Sequence, residues 1–296
     1  MKVLITGRGG QLAWELEQTA PTGIDWIAFD AQQLDITNTA RVYEVLIKES
    51  PDVVINAAAY TAVDNAESDS TIAYAVNEKG SENLALACKE INAKLIHVST
   101  DFVFDGKQTT PYSVDAAPSP INVYGASKLM GDMKIDDILG GDATIIRTAW
   151  VYSAHGNNFV KTMLRLMAEK PELGVIYDQV GTPTWAKGLA KLIWTLTSKA
   201  DSSEPSAHSL MLHWTDAGVA SWYDFATAIQ ELAIEKGMLD KAIPVRPIPA
   251  SAYPLPAKRP SFSVIDKSTT EDYSGVNTIH WRKQLSSMMD ELTANS

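Results

Sequence analysis

Short apolar runs alternate with amphipathic stretches through the first half of the chain. The runs, rich in β-branched residues and bounded by turns, are typical of strands buried on both faces of a parallel sheet. They predict strands at 2–6, 24–29, 52–56, 94–98 and 143–147, with helices at 39–48, 71–91 and 124–137. Such alternation predicts right-handed crossovers and an α/β fold, a Rossmann-type doubly wound parallel sheet.

The pattern changes after about Trp150. Helical periodicity returns at 158–169, 185–198 and 221–236, with turn-rich segments and a polar loop at 200–206 between them. The run 244–260 carries six prolines and is therefore expected to be extended, neither a helix nor a central strand. We predict a Rossmann domain at 1–150, completed by part of 181–200. Residues 151–296 are predicted to form mainly a smaller C-terminal lobe that binds substrate.

Composition narrows the class of protein. The 296 residues suffice for a full core, and a net charge of −11 argues against nucleic acid or an anionic membrane as a partner. The single cysteine, Cys88, lies on an apolar helix face and is expected to be a packed core thiol. The sequence has no leader pattern and no apolar run of membrane-spanning length. These features predict a soluble, cytoplasmic protein.

A glycine-rich loop connects the first strand to the first helix. It reads Gly7, Arg8, Gly9, Gly10, Gln11 and Leu12, followed by Ala13. Gly7, Gly10 and Ala13 meet the needs of a dinucleotide site, which are a tight turn, close approach of backbone to pyrophosphate and a small residue where helix meets strand. The helix N-terminus offers N–H groups and partial positive charge to phosphates. We therefore expect 1–150 to bind NAD(P).

Two residues bear on which nicotinamide cofactor binds. Asp30 follows the second strand, where a carboxylate accepts hydrogen bonds from the adenine ribose and favours NADH. The alternative interpretation of Asp30 is a helix cap or turn residue. Arg8 argues for NADPH, because a guanidinium in the loop pairs with a 2′-phosphate. The sequence leaves the choice between NADH and NADPH open.

The ends of two later strands carry candidate ligand contacts. Ala57, Ala58, Ala59 and Tyr60 follow the third strand, where small side chains let the backbone lie against adenine or ribose. Thr100 follows the 94–98 strand, and the carboxyl ends of parallel strands face the ligand crevice. Its hydroxyl is well placed to hydrogen-bond a substrate carbonyl. His97 lies inside the strand and is predicted to be a core residue.

Tyr124 and Lys128 form a Tyr-x-x-x-Lys pair. Four residues along a helix place both side chains on one face. An ammonium beside a phenol favours phenolate, and lowering the tyrosine pKa from about 10 to about 7 takes roughly 4 kcal/mol. The pair therefore predicts a proton donor to a carbonyl oxygen near neutral pH.

Taken together, these motifs resemble the extended short-chain dehydrogenase/reductase family. Within it, the resemblance is to reductases of a dTDP-linked 4-keto-6-deoxy sugar. The supporting stretches are 7–12, 56–64, 99–106, 122–125 with Lys128, 147–152 and 178–184, and a less specific likeness at Arg259, Pro260, Ser263 and Asp266.

The resemblance implies hydride transfer from NADPH or NADH to the C4 keto group of a nucleotide-linked 6-deoxyhexulose. Tyr124 would give the proton, Lys128 would lower the tyrosine pKa and hold the nicotinamide ribose, and Thr100 would fix the carbonyl. The implied cofactor contacts are Gly7, Arg8, Gly9, Gly10, Gln11, Leu12, Asp30, Asp35, Ala57, Ala58, Ala59, Tyr60, Tyr124 and Lys128. The implied substrate contacts are Phe102, Val103, Trp150, Asn158 and Gln179.

The chain departs from the family pattern at two places. Some members form a homodimer bridged by Mg²⁺ that glutamates hold. Glu15 matches one such position, but Lys187 stands near where another acid is expected, and its charge repels a metal. The sequence thus names no metal ligand and disfavours a bridging Mg²⁺, while Mg²⁺ and a homodimer both stay open. Phe102 replaces the usual tyrosine, which removes a hydroxyl but keeps a ring that can pack against substrate.

Two other functions remain open. A dehydratase or epimerase of nucleotide sugars uses the same scaffold, although Phe102 occupies the position where a dehydratase carries its glutamate acid. A non-catalytic regulatory subunit also shares the resemblance, although such subunits usually lose the tyrosine or the lysine. With both residues intact, the sequence favours the reductase.

Overall fold

The computed structural model describes residues 1–199 and 206–294. Its strands are β1 (Lys2–Thr6), β2 (Asp25–Phe29), β3 (Val53–Asn56), β4 (Lys94–Thr100), β5 (Ala143–Thr148), β6 (Val151–Tyr152), β7 (Leu173–Ile176), β8 (Val180–Gly181), β9 (Thr184–Trp185), β10 (Leu210–Trp214), β11 (Ala220–Ser221) and β12 (Val245–Ile248). Its helices are α1 (Gln11–Gln18), α2 (Thr39–Glu49), α3 (Val63–Ala66), α4 (Ser70–Tyr74), α5 (Ser81–Ile91), α6 (Val123–Leu139), α7 (Phe159–Glu169), α8 (Ala186–Lys199), α9 (Trp222–Glu235), α10 (Ser268–Ser274) and α11 (Trp281–Ala294). The predicted polar loop at 200–206 lies, apart from Ser206, outside the described residues. None of the described helices has the length and apolar character that crossing a bilayer requires.

Six strands form the main sheet in the spatial order β2-β1-β3-β4-β5-β10. Every pair in it is parallel. The predicted Rossmann-type α/β fold is confirmed. Because β1 lies between β2 and β3, the direction of winding reverses there, and the carboxyl ends of β1 and β3 leave a crevice between their loops. Ligands of open α/β sheets bind at such a point.

Helices cover both faces of the main sheet. Side chains such as Val3, Leu4 and Ile5 of β1 are completely buried, as continuous apolar strands require. On one face the strands pack against α1 and α8, and Leu16 and Leu192 belong to that core. The opposite face packs against α2, α5 and α6 and contains the buried Cys88, which is the packed thiol that the sequence predicts.

The second half of the chain contributes to the main sheet and also forms a core of its own. β10 adds the sixth strand beside β5, so the sheet takes residues from beyond Trp150. A separate apolar cluster joins α7, α9 and α11. The proline-rich run has one strand, β12, which pairs with β7 in a two-stranded sheet where Pro247 is tolerated. The division of the chain into two functional domains stays a prediction.

The long helix predicted at 71–91 is interrupted in the structure. A π-helical segment at Ala75–Gly80 lies between α4 and α5. It turns the buried Asn77 toward the loop after β3, where Asn77 accepts from the N–H of Tyr60 at 2.9 Å and donates to its carbonyl at 3.1 Å. Asn77 also donates to the Ser127 hydroxyl of α6 at 3.0 Å. Hydrophobic periodicity does not reveal the π-helical segment, because the extra residue in its turn is stabilised by hydrogen bonds to distant parts of the chain.

Asn77→Ala should lower the free energy of unfolding by about 2 kcal/mol, because the N–H and carbonyl of Tyr60 lose their partner. Chemical denaturation of both proteins measures the difference. Thr71→Ala, at an exposed position of α4, is the control and should unfold like the wild type. Equal free energies of unfolding of all three proteins would contradict a stabilising role for the hydrogen bonds between Asn77 and Tyr60.

Candidate active site

A cleft of about 770 Å³ opens at the carboxyl ends of the central strands. It is bounded by the glycine-rich loop, the loops after β3 and β4, the start of α6 and the segment around Trp150. Most of the predicted site residues line it: Gly7, Arg8, Gly10, Gln11, Leu12, Asp35, Ala57, Ala58, Ala59, Tyr60, Thr100, Phe102, Tyr124, Lys128 and Trp150. Because so many predicted site residues line this one cleft, it is the candidate active site.

Gly7 is required by the geometry of the loop. Its φ is +78°, and a Cβ there would lie 2.8 Å from the backbone of Ala57 and Ala58. The close approach holds the end of β1 against the end of β3. Gly10 precedes α1 with no side-chain cap, so the first N–H groups of the helix are left for a ligand. This bare cradle fits the pyrophosphate of a dinucleotide.

The residues expected to choose the cofactor are partly engaged elsewhere. The Nε of Arg8 lies 3.3 Å from a carboxylate oxygen of Glu17, with half of the Arg8 side chain exposed. Asp30 accepts from the N–H groups of Gln32 and Gln33 at 2.9 and 2.8 Å, which is the turn-capping role left open as its alternative. Asp30 is not among the residues that line the cleft. Asp35 is exposed on the cleft and accepts from the N–H of Thr37.

The start of α6 brings Tyr124 to the end of β4. Asn122 caps the helix by accepting from the N–H of Gly125, and its amide donates to the carbonyl of Lys258. A Cβ on Gly125 would lie 2.1 Å from the carbonyl oxygen of Phe102, so only glycine allows the helix to come this close. Tyr124 is thereby placed near Thr100, and both residues line the cleft.

The expected lowering of the Tyr124 pKa is wrong for the structure as it stands. Burial raises the pKa of Tyr124 to about 12, and the nearby Thr100 side chain acts in the opposite direction. The amine of Lys128 donates to the carbonyl of Val98 at 2.7 Å and lies 3.1 Å from Nε2 of His97. Burial lowers the pKa of Lys128 to about 8. Lys128 thus contacts β4, which a helical spacing argument could not foresee.

The predicted substrate contacts fall into two groups. Trp150 and Phe102 line the cleft, and Trp150 stacks on Trp222 with 3.5 Å between ring centroids. Trp150 has a φ of +48°, a strained conformation for a bulky residue that is most often found at functional sites. The ring of Phe102 meets that of Tyr124 edge-on at 5.7 Å.

The other three predicted substrate residues do not line the cleft. Val103 is completely buried in a small core with Phe104 and Tyr112. Asn158 caps α7 by accepting from the N–H of Lys161 and donates to Gln11. Gln179 is buried beside β8.

Among the cleft residues that sequence reasoning did not assign to the site, two come from the later part of the chain. Trp222, at the start of α9, and Arg259, in the proline-rich run, both line it. Arg259 makes two hydrogen bonds to the carboxylate of Asp64, of 3.0 and 2.6 Å, which tie the run to α3. The likeness noted at Arg259 and Pro260 was the available signal, whereas nothing local distinguishes Trp222 from a core tryptophan.

Glu15 stands where some family members are expected to have a metal ligand, and its carboxylate is engaged in hydrogen bonds to the protein. Glu15 is fully buried and accepts from the Ser153 hydroxyl at 2.8 Å and from the Trp185 indole at 3.1 Å. Lys187 pairs with Glu291 beside it. Among the residues that the structure describes, no three His, Cys, Asp or Glu side chains are grouped to hold a metal ion.

Comparison with known proteins identifies a family. The model of the RmlD substrate binding domain matches residues 1–294. A dTDP-4-dehydrorhamnose reductase of Burkholderia thailandensis is 38% identical over 286 residues, which are 95% of this chain and 96% of that protein. The structure of such a reductase from Clostridium acetobutylicum superimposes with a TM-score of 0.90 at 37% identity, covering 99% of this chain and 100% of the other. The Bacillus anthracis reductase, solved in complex with NADP, gives a TM-score of 0.90 at 34% identity, with 98% and 99% covered.

Gly7→Ala should weaken dinucleotide binding by about 100-fold or more, because the added Cβ must displace the backbone of Ala57 and the residue must keep a positive φ. Fluorescence titration with NADPH measures the affinity. Gly23→Ala is the matched control, since Gly23 also has a positive φ but its Cβ would meet no atom within 4 Å. Binding that survives Gly7→Ala as well as Gly23→Ala would contradict the assigned cradle.

Proposed function

The chain belongs to the dTDP-4-dehydrorhamnose reductase family, and from that membership we propose that it reduces the C4 keto group of dTDP-4-dehydro-6-deoxy-L-mannose to give dTDP-L-rhamnose. It is an NAD(P)H-dependent oxidoreductase, as the sequence predicts. The observation that carries the assignment is the convergence of Thr100, Tyr124 and Lys128 on a cleft with a dinucleotide cradle. The product belongs to the biosynthesis of cell-surface polysaccharides.

The glycine-rich loop would hold the pyrophosphate of the cofactor. Gly7 and Gly10 leave the backbone bare, and the uncapped N-terminus of α1 directs N–H groups and partial positive charge at the phosphates. Ala57, Ala58 and Ala59 offer a flat surface to adenine and ribose. Bound NADPH or NADH supplies the hydride. Arg8 on the cleft favours NADPH, since Asp30 is occupied with its own turn.

Tyr124 is the proton donor in the proposed reaction. As hydride reaches C4, negative charge develops on the carbonyl oxygen, and the phenol proton moves to that oxygen to complete the alcohol. Thr100, which lines the cleft near Tyr124, orients the same oxygen. The Lys128 ammonium, one helical turn away, stabilises the phenolate left behind and holds the nicotinamide ribose.

The walls of the cleft would hold the sugar. Trp150, fixed by its stack on Trp222, presents an aromatic surface to one face of the hexulose, and Phe102 packs near the reacting carbon beside Tyr124. An elimination reaction needs an acid where Phe102 stands, which disfavours a dehydratase. A binding-only role would need no tyrosine and lysine on the cleft, so the intact pair disfavours a regulatory subunit.

The proposed reaction is tested by following NADPH or NADH consumption at 340 nm with dTDP-4-dehydro-6-deoxy-L-mannose. Tyr124→Phe should lower kcat at least about 100-fold and leave the cofactor Kd nearly unchanged, since proton transfer alone is lost. Tyr43→Phe, on α2 away from the cleft, is the matched control. Turnover by Tyr124→Phe at the wild-type rate would remove Tyr124 from the mechanism. Purified protein that retains oxidised cofactor and interconverts sugars without consuming NADPH would instead support an epimerase.

The pH dependence should follow Lys128. Its pKa is lowered to about 8 by burial, and the ammonium must be present to stabilise phenolate. The rate should therefore be full below the pKa and fall about tenfold per pH unit above it. A profile of kcat/KM against pH measures this, with circular dichroism at each pH as the control for folding. A rate that holds to about pH 10 would contradict the requirement for the ammonium.

A further inference from the structure

A row of polar side chains crosses the main sheet beneath the cleft. Thr6, Asn56 and His97 occupy paired positions on β1, β3 and β4. The Thr6 hydroxyl donates to Oδ1 of Asn56 at 2.7 Å, and Nδ2 of Asn56 lies 2.9 Å from Nδ1 of His97. All three are 1% exposed or less. A buried polar row costs free energy unless every member is hydrogen-bonded, so its members fix one another in place.

The row ends at the amine of Lys128. Nε2 of His97 lies 3.1 Å from Nζ, and Nζ donates to the carbonyl of Val98 at 2.7 Å. Within the described residues, the hydrogen bonds of this amine go to these two groups of β4. Burial lowers the pKa of His97 well below its ordinary value, so the ring is neutral and carries a single proton. With that proton on Nδ1, the side that faces Asn56, Nε2 accepts from the Lys128 ammonium.

Asp132 is the buried carboxylate next to this contact. It follows Lys128 by one turn of α6 and is 3% exposed. Its Oδ1 lies 3.6 Å from Nε2 of His97 and has no hydrogen-bond partner. Its Oδ2 accepts from the Ser99 hydroxyl at 2.8 Å and lies 3.6 Å from Nε of Arg147. The carboxylate favours the charged form of Lys128, against the burial that lowers its pKa.

Other charged and titratable groups surround the amine from each neighbouring element. Tyr124 lies on the same helix, Asp101 follows β4, and Arg147 lies on β5 beyond Asp132. The negative charges of Asp101 and Asp132 both raise the pKa of Tyr124. Burial also raises the pKa of Asp132, while Arg147 and Lys128 act to lower it. Of these groups, Asp132 is the one whose charge acts to raise the pKa of Lys128, and both side chains lie beside Nε2 of His97, at 3.6 and 3.1 Å.

We propose that His97 and Asp132 are positioning residues for Lys128: His97 fixes the place of the amine, and Asp132 maintains its positive charge. Neither residue reaches the reacting atoms; both act through Lys128. The inference rests on the proposed function for the role of Lys128 in the reaction.

The contact of His97 is tested by two amide variants of the same residue. The amide of His97→Gln reaches the place of Nε2 and can still bind Lys128, whereas that of His97→Asn stops near Nδ1 and keeps only the contact with Asn56. We expect His97→Asn to lower kcat about 10- to 100-fold, as misplacement of a catalytic group does, and His97→Gln to restore most of the loss. Equal kcat in both variants, whether at the wild-type level or equally reduced, would overturn the positioning role.

The charge effect is tested independently of His97 by Asp132→Asn, which is nearly isosteric. The alkaline limb of the kcat profile should move to lower pH by about 1 unit, because the ammonium loses its buried counter-charge. Asp137→Asn, exposed on the same helix, is the matched control and should leave the profile unchanged. An alkaline limb of Asp132→Asn that coincides with that of the wild type would overturn the role of Asp132.

A direct titration separates this inference from the proposed function. Nuclear magnetic resonance of protein labelled with ¹⁵N-lysine follows the protonation of Lys128, assigned with Lys128→Met, and needs no substrate. A lower titration midpoint in Asp132→Asn than in wild type supports the inference even if the wild type reduces no dTDP-sugar, in which case the proposed function alone fails. An unchanged midpoint overturns the inference whatever the activity.

Discussion

The close approach of the glycine-rich loop to the end of β3 is the constraint on which the rest of the site depends. A side chain at Gly7 would clash with the backbone of Ala57. The glycine-rich loop and the loop after β3 can therefore come this close only because Gly7 has no side chain. The strand order reverses at this point, and the loops must diverge above it. The cleft is the space they leave, and the N-terminus of α1 faces into it.

The electrostatics of the cleft follow from how deeply its reactive groups are placed. Burial makes the phenol of Tyr124 harder to ionise and the amine of Lys128 easier to neutralise. Both pKa shifts therefore oppose the pair of phenolate and ammonium that the reaction needs. Thr100 acts against the first shift, and Asp132 acts against the second. A cleft that excludes water gains stronger electrostatic interactions, but it needs groups such as Thr100 and Asp132 to oppose the pKa shifts that burial causes.

Packing from the second half of the chain completes the site. α8 covers one face of the main sheet and β10 extends it, while Trp150 and Trp222 bring two parts of the later chain together as a single aromatic wall. The pair of hydrogen bonds between Arg259 and Asp64 ties the proline-rich run to the mouth of the cleft. The site is therefore assembled from segments far apart in sequence, which hold one another in place.

The sequence by itself determined the parallel α/β fold, the glycine-rich cradle and the group of Thr100, Tyr124 and Lys128, because each follows from local spacing, strand ends and backbone freedom. Tertiary structure alone decided that Val103 and Asn158 serve packing and capping, that Trp222 reaches the cleft, and that a π turn directs Asn77 to Tyr60. It also decided where the amine of Lys128 lies. Hydrogen-bond partners and burial depend on which distant segments meet, and periodicity along one segment carries no record of them.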